Sequence, residues 1–406
     1  MTITPTNQWS KYLIWAEALV VFFMPINIHL DTYCILLFVL VWLLSKGWKN
    51  IVREKRAIKW AFLFSSIFFA YFLRALFPPG FKMAQHDIAE KLSLLVFPFL
   101  LLGIGNVKNK LVLNALPAGC LLASIICLVN AAMQYKIFGY QAFFYTFISR
   151  LMHPGYFSMY INFAIFILLY QLLFSKTPIN TYLKWGYILL IVFFMVMIIF
   201  LSSKAGIIGF YIVMILGGVF FYMDQKKLLR ALMILSGTVI IYILFSSLIL
   251  RGQPDRLTQT SEALVKDSSY VDTTETAEIR LMIWQSSFEV IKNNFAVGVG
   301  TGAEENALKE VYIKRNMAHA FNFNLNAHNQ FIQTFIALGI IGFMVLLIII
   351  AVPAWYSLMN KKYIFLAFII LIAFNFLTES MLQTQAGIVF YAFFNSYLFN
   401  INEEWH

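Results

Sequence analysis

The residues able to do chemistry gather in a few short stretches. Arg251 to Gln330 is the longest polar interval, and it closes with His319-Ala-Phe-Asn-Phe-Asn-Leu-Asn-Ala-His328-Asn329-Gln330. An imidazole titrates near neutrality, so His328 and His319 are both candidates for a general base. The plainer role for His328, with Asn329 beside it at the head of an apolar run, is to cap a helix or line an interface. Arg280 opens a helical pattern in the same interval. Its guanidinium is a good fork for a diphosphate, and it could equally pair with Glu278 or Asp272.

Outside that interval, unusual polar groups stand at the ends of apolar runs: Arg74, Arg150 and His153 before Pro154, Ser202-Ser203-Lys204, and Glu379 with Gln383 and Gln385. A charge at the end of a membrane span needs a partner, an anionic ligand or a route to the interface. Lys204 therefore either snorkels to lipid headgroups or meets a phosphate. Arg150 and Arg74 are further candidates for diphosphate binding. His153 reads as fixing the start of the next span.

Other site chemistries fit poorly. The sequence has no HExxH, CxxC or DxD, so no metal site is expected. Gly298-Val-Gly-Thr-Gly302 lacks the lysine that follows a nucleotide-binding loop and reads as a tight turn, so no nucleotide cofactor is expected either. Glu17, inside the first apolar run, is either a coupling site of a transporter or a hydrogen-bonding group between helices. Gly339-Ile-Ile-Gly342 reads as close helix packing.

The elements that must position these residues are membrane helices. Of 406 residues, 61% are hydrophobic and 12% charged, with a mean hydropathy of +0.77, well outside the soluble range. The class is all-α, a polytopic transmembrane helical bundle of about 12 spans, each crossing about 30 Å of hydrocarbon. The formal charge of +11 is spread over brief clusters between apolar runs, which topology explains better than nucleic acid does. Cys34, Cys120 and Cys127 all fall inside apolar runs and imply no disulfide framework. The first apolar run lacks a basic leader and a cleavage site and reads as a retained helix.

Spans are expected at Tyr12–Ile28, Leu30–Leu44, Trp60–Phe77, Leu92–Ile104, Leu111–Met133, Tyr156–Phe174, Trp185–Leu201, Ala205–Met223, Ala231–Leu250, Phe331–Tyr356, Tyr363–Thr378 and Gly387–Ile401. The densest short basic loop, Lys46 to Lys59, faces the cytoplasm by the positive-inside rule, and Lys108, Lys176, Lys226 and Lys361 fall on the same side as the runs alternate. Both termini are then cytoplasmic and the 251–330 loop is extracytoplasmic. Within that loop, Gly252–Thr276 is polar and poor in aromatics. Ile279, Met282, Ile283, Phe288 and Ile291 follow helical spacing up to Asn293, and a second, polar helix is expected at Ala303–Lys314. Three regions result: a bundle at 1–250, a large loop at 251–330, and a closing bundle segment at 331–406. Arg74, Arg150, His153, Lys204 and Glu379 converge on the face that carries the loop.

Arg280, Trp284, Gly298-Val-Gly-Thr-Gly302, His328-Asn329-Gln330-Phe331 and Gly339-Ile-Ile-Gly342, taken in this order, resemble the bacterial O-antigen ligases and the related O-antigen polymerases and protein O-glycosylation ligases. Ser203-Lys204 resembles that family's Ser-Arg element, and His153-Pro154-Gly-Tyr156 another common one. The motifs span about Arg150 to Gly342. The resemblance implies a GT-C-like, metal-independent glycosyltransferase with an undecaprenyl-diphosphate-linked glycan as donor. It implies that His328 rather than His319 is the base, and that Arg280 and Lys204 hold the diphosphate. Lysine in place of the family's arginine keeps the charge but loses the fork.

The expected function is transfer of O-antigen to lipid A-core at the periplasmic face of the bacterial inner membrane, in lipopolysaccharide biosynthesis. Polymerisation of repeat units and glycosylation of protein are alternatives that use the same donor. A transporter or flippase for lipid-linked sugars is the non-enzymatic one, and it would place charges through the depth of the membrane. Besides membrane lipids, the expected partners are the lipid-linked donor and a glycan or protein acceptor, with no nucleic acid. Asn329 and Glu379 are secondary candidates for the site, with His319 and His153.

Overall fold

Ser203, with its hydroxyl on the Gly206 amide at 3.2 Å, starts one long apolar helix; His153, Asn180, Asn329 and Thr384 start others in the same way. The computed structural model describes residues 9–49, 55–104, 110–175, 179–227 and 277–401, with isolated positions between 229 and 247. Among these residues there is no strand. Lipid offers the backbone no hydrogen bonds, so an apolar chain of this composition satisfies its amides within helices.

In chain order the helices are α1 (Trp9–Phe23), α2 (Ile28–Leu44), α3 (Lys55–Ala75), α4 (Phe81–Glu90), α5 (Ser93–Ile104), α6 (Lys110–Phe138), α7 (Pro154–Phe174), α8 (Thr181–Leu201), α9 (Lys204–Gln225), α10 (Ala277–Asn293), α11 (Glu304–Lys314), α12 (Ala318–Asn322), α13 (Gln330–Met359), α14 (Tyr363–Thr378) and α15 (Gln385–Asn400). Among the described residues six helices, α3, α6, α7, α8, α9 and α13, are long and apolar enough to cross a membrane, and α2, α5 and α14 are shorter apolar helices. Every expected span other than Ala231–Leu250 appears as a helix. Most of that run, and all of Gly252–Thr276, lie outside the described residues. The amphipathic α4 was not legible as an element, because ten residues, half of them polar, carry too short a pattern to stand out beside the spans.

The register of the helices decides what meets at the site. Gly206 lies against Ser158, Gly209 against Asn162 and Gly217 against Leu169, so α9 runs parallel to α7 at close approach. The Asn162 amide donates to the Gly206 carbonyl at 2.8 Å. Helix α14 runs antiparallel to both: its first residue, Tyr363, stacks on Phe220, and Leu371 lies against Gly209. The starts of α7 and α9 and the end of α14 therefore share one end of the bundle, which brings His153, Lys204 and Glu379 to a common mouth. The core between them is aromatic, with Phe163, Phe368, Phe390 and Phe394 packed at 5.0–5.9 Å between centroids. At the opposite end, Lys362 donates to the carbonyls of Phe399 and Ile401 and so caps α15.

Helix α13 is broken at Gly339, which has φ 65°. The segment 295–300 lies in the break: Val299 N–H donates to Ile336 O at 2.8 Å, Gly300 N–H to Ala337 O at 3.0 Å, and Ile340 N–H to Phe295 O at 2.9 Å. A Cβ on Gly298 would stand 2.4 Å from the Ala337 carbonyl carbon, and one on Gly339 would stand 2.5 Å from that of Ala296. Both glycines are thus required by backbone meeting backbone at left-handed φ. The expectation of simple helix packing at 339–342 gives way to this receptacle for the glycine turn.

Candidate functional site

Helix α10 presents Arg280 and Trp284 one turn apart, on the face that meets the start of α13. The Trp284 indole donates to Ala327 O at 2.9 Å, and Ala327 N–H donates to the Gln333 side chain at 3.1 Å. The next residue, His328, has the left-handed φ of 43° and its amide on Asn326 Oδ1 at 2.9 Å. Asn329 then begins α13, accepting from Ile332 N–H and donating from Nδ2 to Leu377 O at 3.2 Å. Gln330 accepts from Leu382 N–H at 2.6 Å. The end of the loop is therefore stitched onto the link between α14 and α15.

That link carries Glu379, whose two oxygens are divided. Oε1 lies 3.3 Å from Arg280 Nη2, and Oε2 lies 3.3 Å from His328 Nδ1. An ionised carboxylate only accepts, so Nδ1 donates in that contact. His328 Nε2 is buried and has no hydrogen-bond partner among the described residues. The contact with Glu379 fixes the ring, with Nε2 turned away from the carboxylate. Burial, the largest single influence, pushes the Glu379 carboxyl upward, but the hydrogen bond with His328 and the charges of His328, Arg280 and His153 outweigh it and hold the group below its ordinary value.

Arg280 also donates from Nη1 to Thr378 O at 3.2 Å, while its Nε is buried without a partner among the described residues. Lys204 is exposed at the first position of α9, with no hydrogen-bond or ion-pair partner among the described residues. Of these two expected anion ligands, the arginine fork is engaged by a carboxylate and the lysine is open among the described residues. Arg74 places Nε on Val297 O at 2.9 Å, Nη1 on Pro78 O at 2.6 Å and Nη2 on Gly298 O at 3.1 Å. These contacts anchor the glycine turn. Arg150 donates to Gln134 at the end of α6. His153 caps α7 through Nδ1 on Gly155 N–H, with its ring between Tyr145 and Tyr156, and His319 lies on Phe323 at 4.5 Å between centroids.

A second polar cluster lies beside the first and was not legible as a site. Lys91, at the junction of α4 and α5, is fully buried, with Nζ 3.4 Å from Asp87 Oδ2, 3.2 Å from Gln383 Oε1, and 4.8 Å from the centre of the Tyr71 ring. Glu304, the first residue of α11, is buried nearby. Burial and then the Asp87 charge raise its carboxyl to about 7, against the pull of Lys91. Among the described residues no group of three or more His, Cys, Asp or Glu side chains has an arrangement that could hold a metal ion.

Helices of this length and apolarity define a polytopic helical membrane protein, with an acid/base and cationic site at one end. A family model described as O-antigen ligase matches residues 188–347. That interval takes in Lys204, Arg280 and His328, and it bears out the resemblance to the O-antigen ligase family. The chain is also similar to an uncharacterized protein of Haemophilus influenzae, 28% identical over 123 residues that cover 28% of this chain and 31% of the relative. The chain thus spans less than a third of that relative's length.

Proposed function

We propose that the protein is an inner-membrane glycosyltransferase that moves a glycan from undecaprenyl diphosphate to an acceptor hydroxyl, with lipid A-core as the acceptor. The observation that carries this reading is His328, with Nδ1 on Glu379 and Nε2 without a partner among the described residues, at the bundle end that also holds Lys204. A glycosyl diphosphate already has a good leaving group. The chemistry left to the protein is to deprotonate the acceptor and receive the departing charge.

In the step we propose, the acceptor hydroxyl proton passes to His328 Nε2 as the oxygen forms its bond to the anomeric carbon. The bond from that carbon to the diphosphate oxygen breaks, and the diphosphate leaves with the electron pair. Glu379 stabilises the imidazolium, Arg280 keeps Glu379 ionised and oriented, and Lys204 neutralises the leaving group. Cations do the work that a metal does elsewhere, so transfer is expected to survive chelation. The face holding the site is the periplasmic one in this reading, because the basic positions Lys226 and Lys361 follow the far ends of α9 and α13, whose starts lie at the site.

Joining repeat units uses the same donor and base and differs only in the acceptor. The glycan profile of a deletion strain separates the two: loss of all long chains from lipopolysaccharide with donor accumulating indicates a ligase, whereas a core bearing a single repeat unit indicates a polymerase. A second reading, transport of lipid-linked sugar, has one observation in its favour: Glu17 is buried within α1 with Oε2 unpartnered among the described residues. Purified protein in liposomes with lipid-linked glycan and lipid A-core tests both. A glycan–acceptor product supports the enzyme, and movement of donor without product supports the transporter.

A further inference from the structure

The link between α14 and α15 is held from two sides. From α13, Asn329 N–H donates to Ser380 Oγ at 3.3 Å, Asn329 Nδ2 donates to Leu377 O, and Gln330 accepts from Leu382 N–H. From the other side a charged residue reaches it: Lys91 Nζ donates to Gln383 Oε1 at 3.2 Å. Glu379 stands four residues before Gln383 on the same short link, with the 3-10 turn Met381–Gln383 between them.

A fully buried ammonium is expensive unless several groups receive it. Lys91 has Asp87, Gln383, the Tyr71 ring and the nearby Glu304 carboxylate. Asp87 and Lys91 share α4 and its end and Tyr71 is on α3, so the ammonium joins two elements to the link, with Glu304 of α11 near enough to feel its charge. The pair it would steady is exacting in geometry: two contacts of 3.3 Å, from Glu379 to His328 and to Arg280, depend on where the link places one carboxylate.

We propose that Lys91 is a positioning residue for the His328–Glu379 pair, acting through Gln383 and the 381–383 turn. It touches neither donor nor acceptor; it determines where Glu379 stands. The inference rests on His328 being the base, and it adds a part of the machinery that the loop and the mouth cations do not contain. The charged and titratable groups that face Glu379 are His328 from the loop, Arg280 from α10, and His153 and Tyr156 at the start of α7. A displaced Glu379 would leave the His328 imidazolium less stabilised, so the base would titrate at lower pH.

The test compares Lys91→Met, Gln383→Met and the double variant with wild type, in detergent-solubilised full-length protein whose thermal unfolding is recorded first. Gln383→Met cuts the same contact without removing the buried charge, and so serves if Lys91→Met fails to fold. Each single variant is expected to lower kcat about tenfold with KM within about twofold. Each is expected to move the acidic limb of the pH profile about half a unit lower. The double variant is expected to be no worse than the poorer single one, because both changes break one connection. The pH midpoint for acylation of His328 by diethyl pyrocarbonate, read by peptide mass spectrometry, should fall in parallel and does not depend on turnover. Folded Gln383→Met with an unchanged kcat, pH profile and acylation midpoint would overturn the proposal, as would strictly additive losses. Wild-type protein that transfers no glycan, or His328→Ala that transfers normally, would instead remove the proposed function. The acylation midpoint would still decide whether Lys91 governs the His328–Glu379 contact.

Discussion

At one end of the link between α14 and α15 stand Arg280, Glu379 and His328; at the other stand Asp87, Lys91 and Glu304 around Gln383. Both clusters combine acids with bases, yet they are built differently. In the first the charged side chains keep partial exposure, 25% for Arg280, 14% for Glu379 and 20% for His328, and an imidazole nitrogen is left without a partner. In the second the lysine has no exposure at all and is surrounded by acceptors on three sides. The first cluster keeps partial exposure at the end of the bundle, whereas the second encloses the lysine that holds its elements together. The titration directions agree: Glu379 is held below its ordinary value by cations, and Glu304 is raised to about 7 by burial.

The largest effect should come from His328→Ala, which removes the base. Transfer is expected to fall by about 10²–10⁴-fold while the protein remains in the membrane, measured as glycan–acceptor product per unit of protein. Normal transfer in a strain without any parallel enzyme would end the assignment. Glu379→Gln keeps the shape and loses the charge. It should cost about 10- to 100-fold in kcat, roughly 1.4–2.7 kcal/mol, and move the acidic limb to lower pH because the imidazolium loses its counter-charge. An unshifted limb would mean that Glu379 serves only to place Arg280.

Lys204→Ala tests whether the open cation meets the donor. The KM for lipid-linked glycan is expected to rise about tenfold, with Lys204→Arg close to wild type, and an unchanged KM would return Lys204 to snorkelling. On the holding side of the comparison, Gly298→Ala pushes a methyl group into the backbone of α13. It should destabilise by about 1–3 kcal/mol, seen as a lower Tm with the site residues untouched.

The smallest effect belongs to Glu304→Gln, and its sign separates the two clusters. Glu304 has a raised pKa, so stability is greatest below about 4.5 and declines as pH rises towards about 7. The glutamine variant should therefore gain about 1–3 °C in Tm at pH 8 and almost nothing at pH 5. Glu379, with a lowered pKa, contributes stability above the ordinary carboxylate range that is lost as pH falls through its folded value. Removing it should cost stability at pH 8. Equal Tm changes for the two variants at pH 8 would erase the contrast.

Much of the frame was legible from residue types alone. Helix α10 over Ala277–Asn293 and α11 over Glu304–Lys314 follow from a helical period and from the asparagine and glycines that end it. The gathering of Arg74, His153, Lys204 and Glu379 at one end follows from counting apolar runs. The roles within that group were not legible. Arg74, Arg280 and Lys204 look alike as cations in a chain of letters, and only the carbonyls of Val297 and Gly298 mark the first as an anchor, while Glu379 engages the second. Lys91 carried no signal, since a lysine before an apolar run ordinarily reaches for water.

Hydropathy and charge spacing by themselves determined a helical membrane protein with a polar loop at one face, because lipid and water sort side chains by a property each residue carries alone. The order of the motifs further determined the likeness to O-antigen ligases and favoured His328 over His319. Only the tertiary structure decided what those groups do. Glu379 lies 51 residues from His328 and 99 from Arg280 in the chain, and the contact that orients the base exists only where α10, α13 and α14 converge. A pairwise interaction is a property of distance in space, and neither the letters nor their spacing contain it.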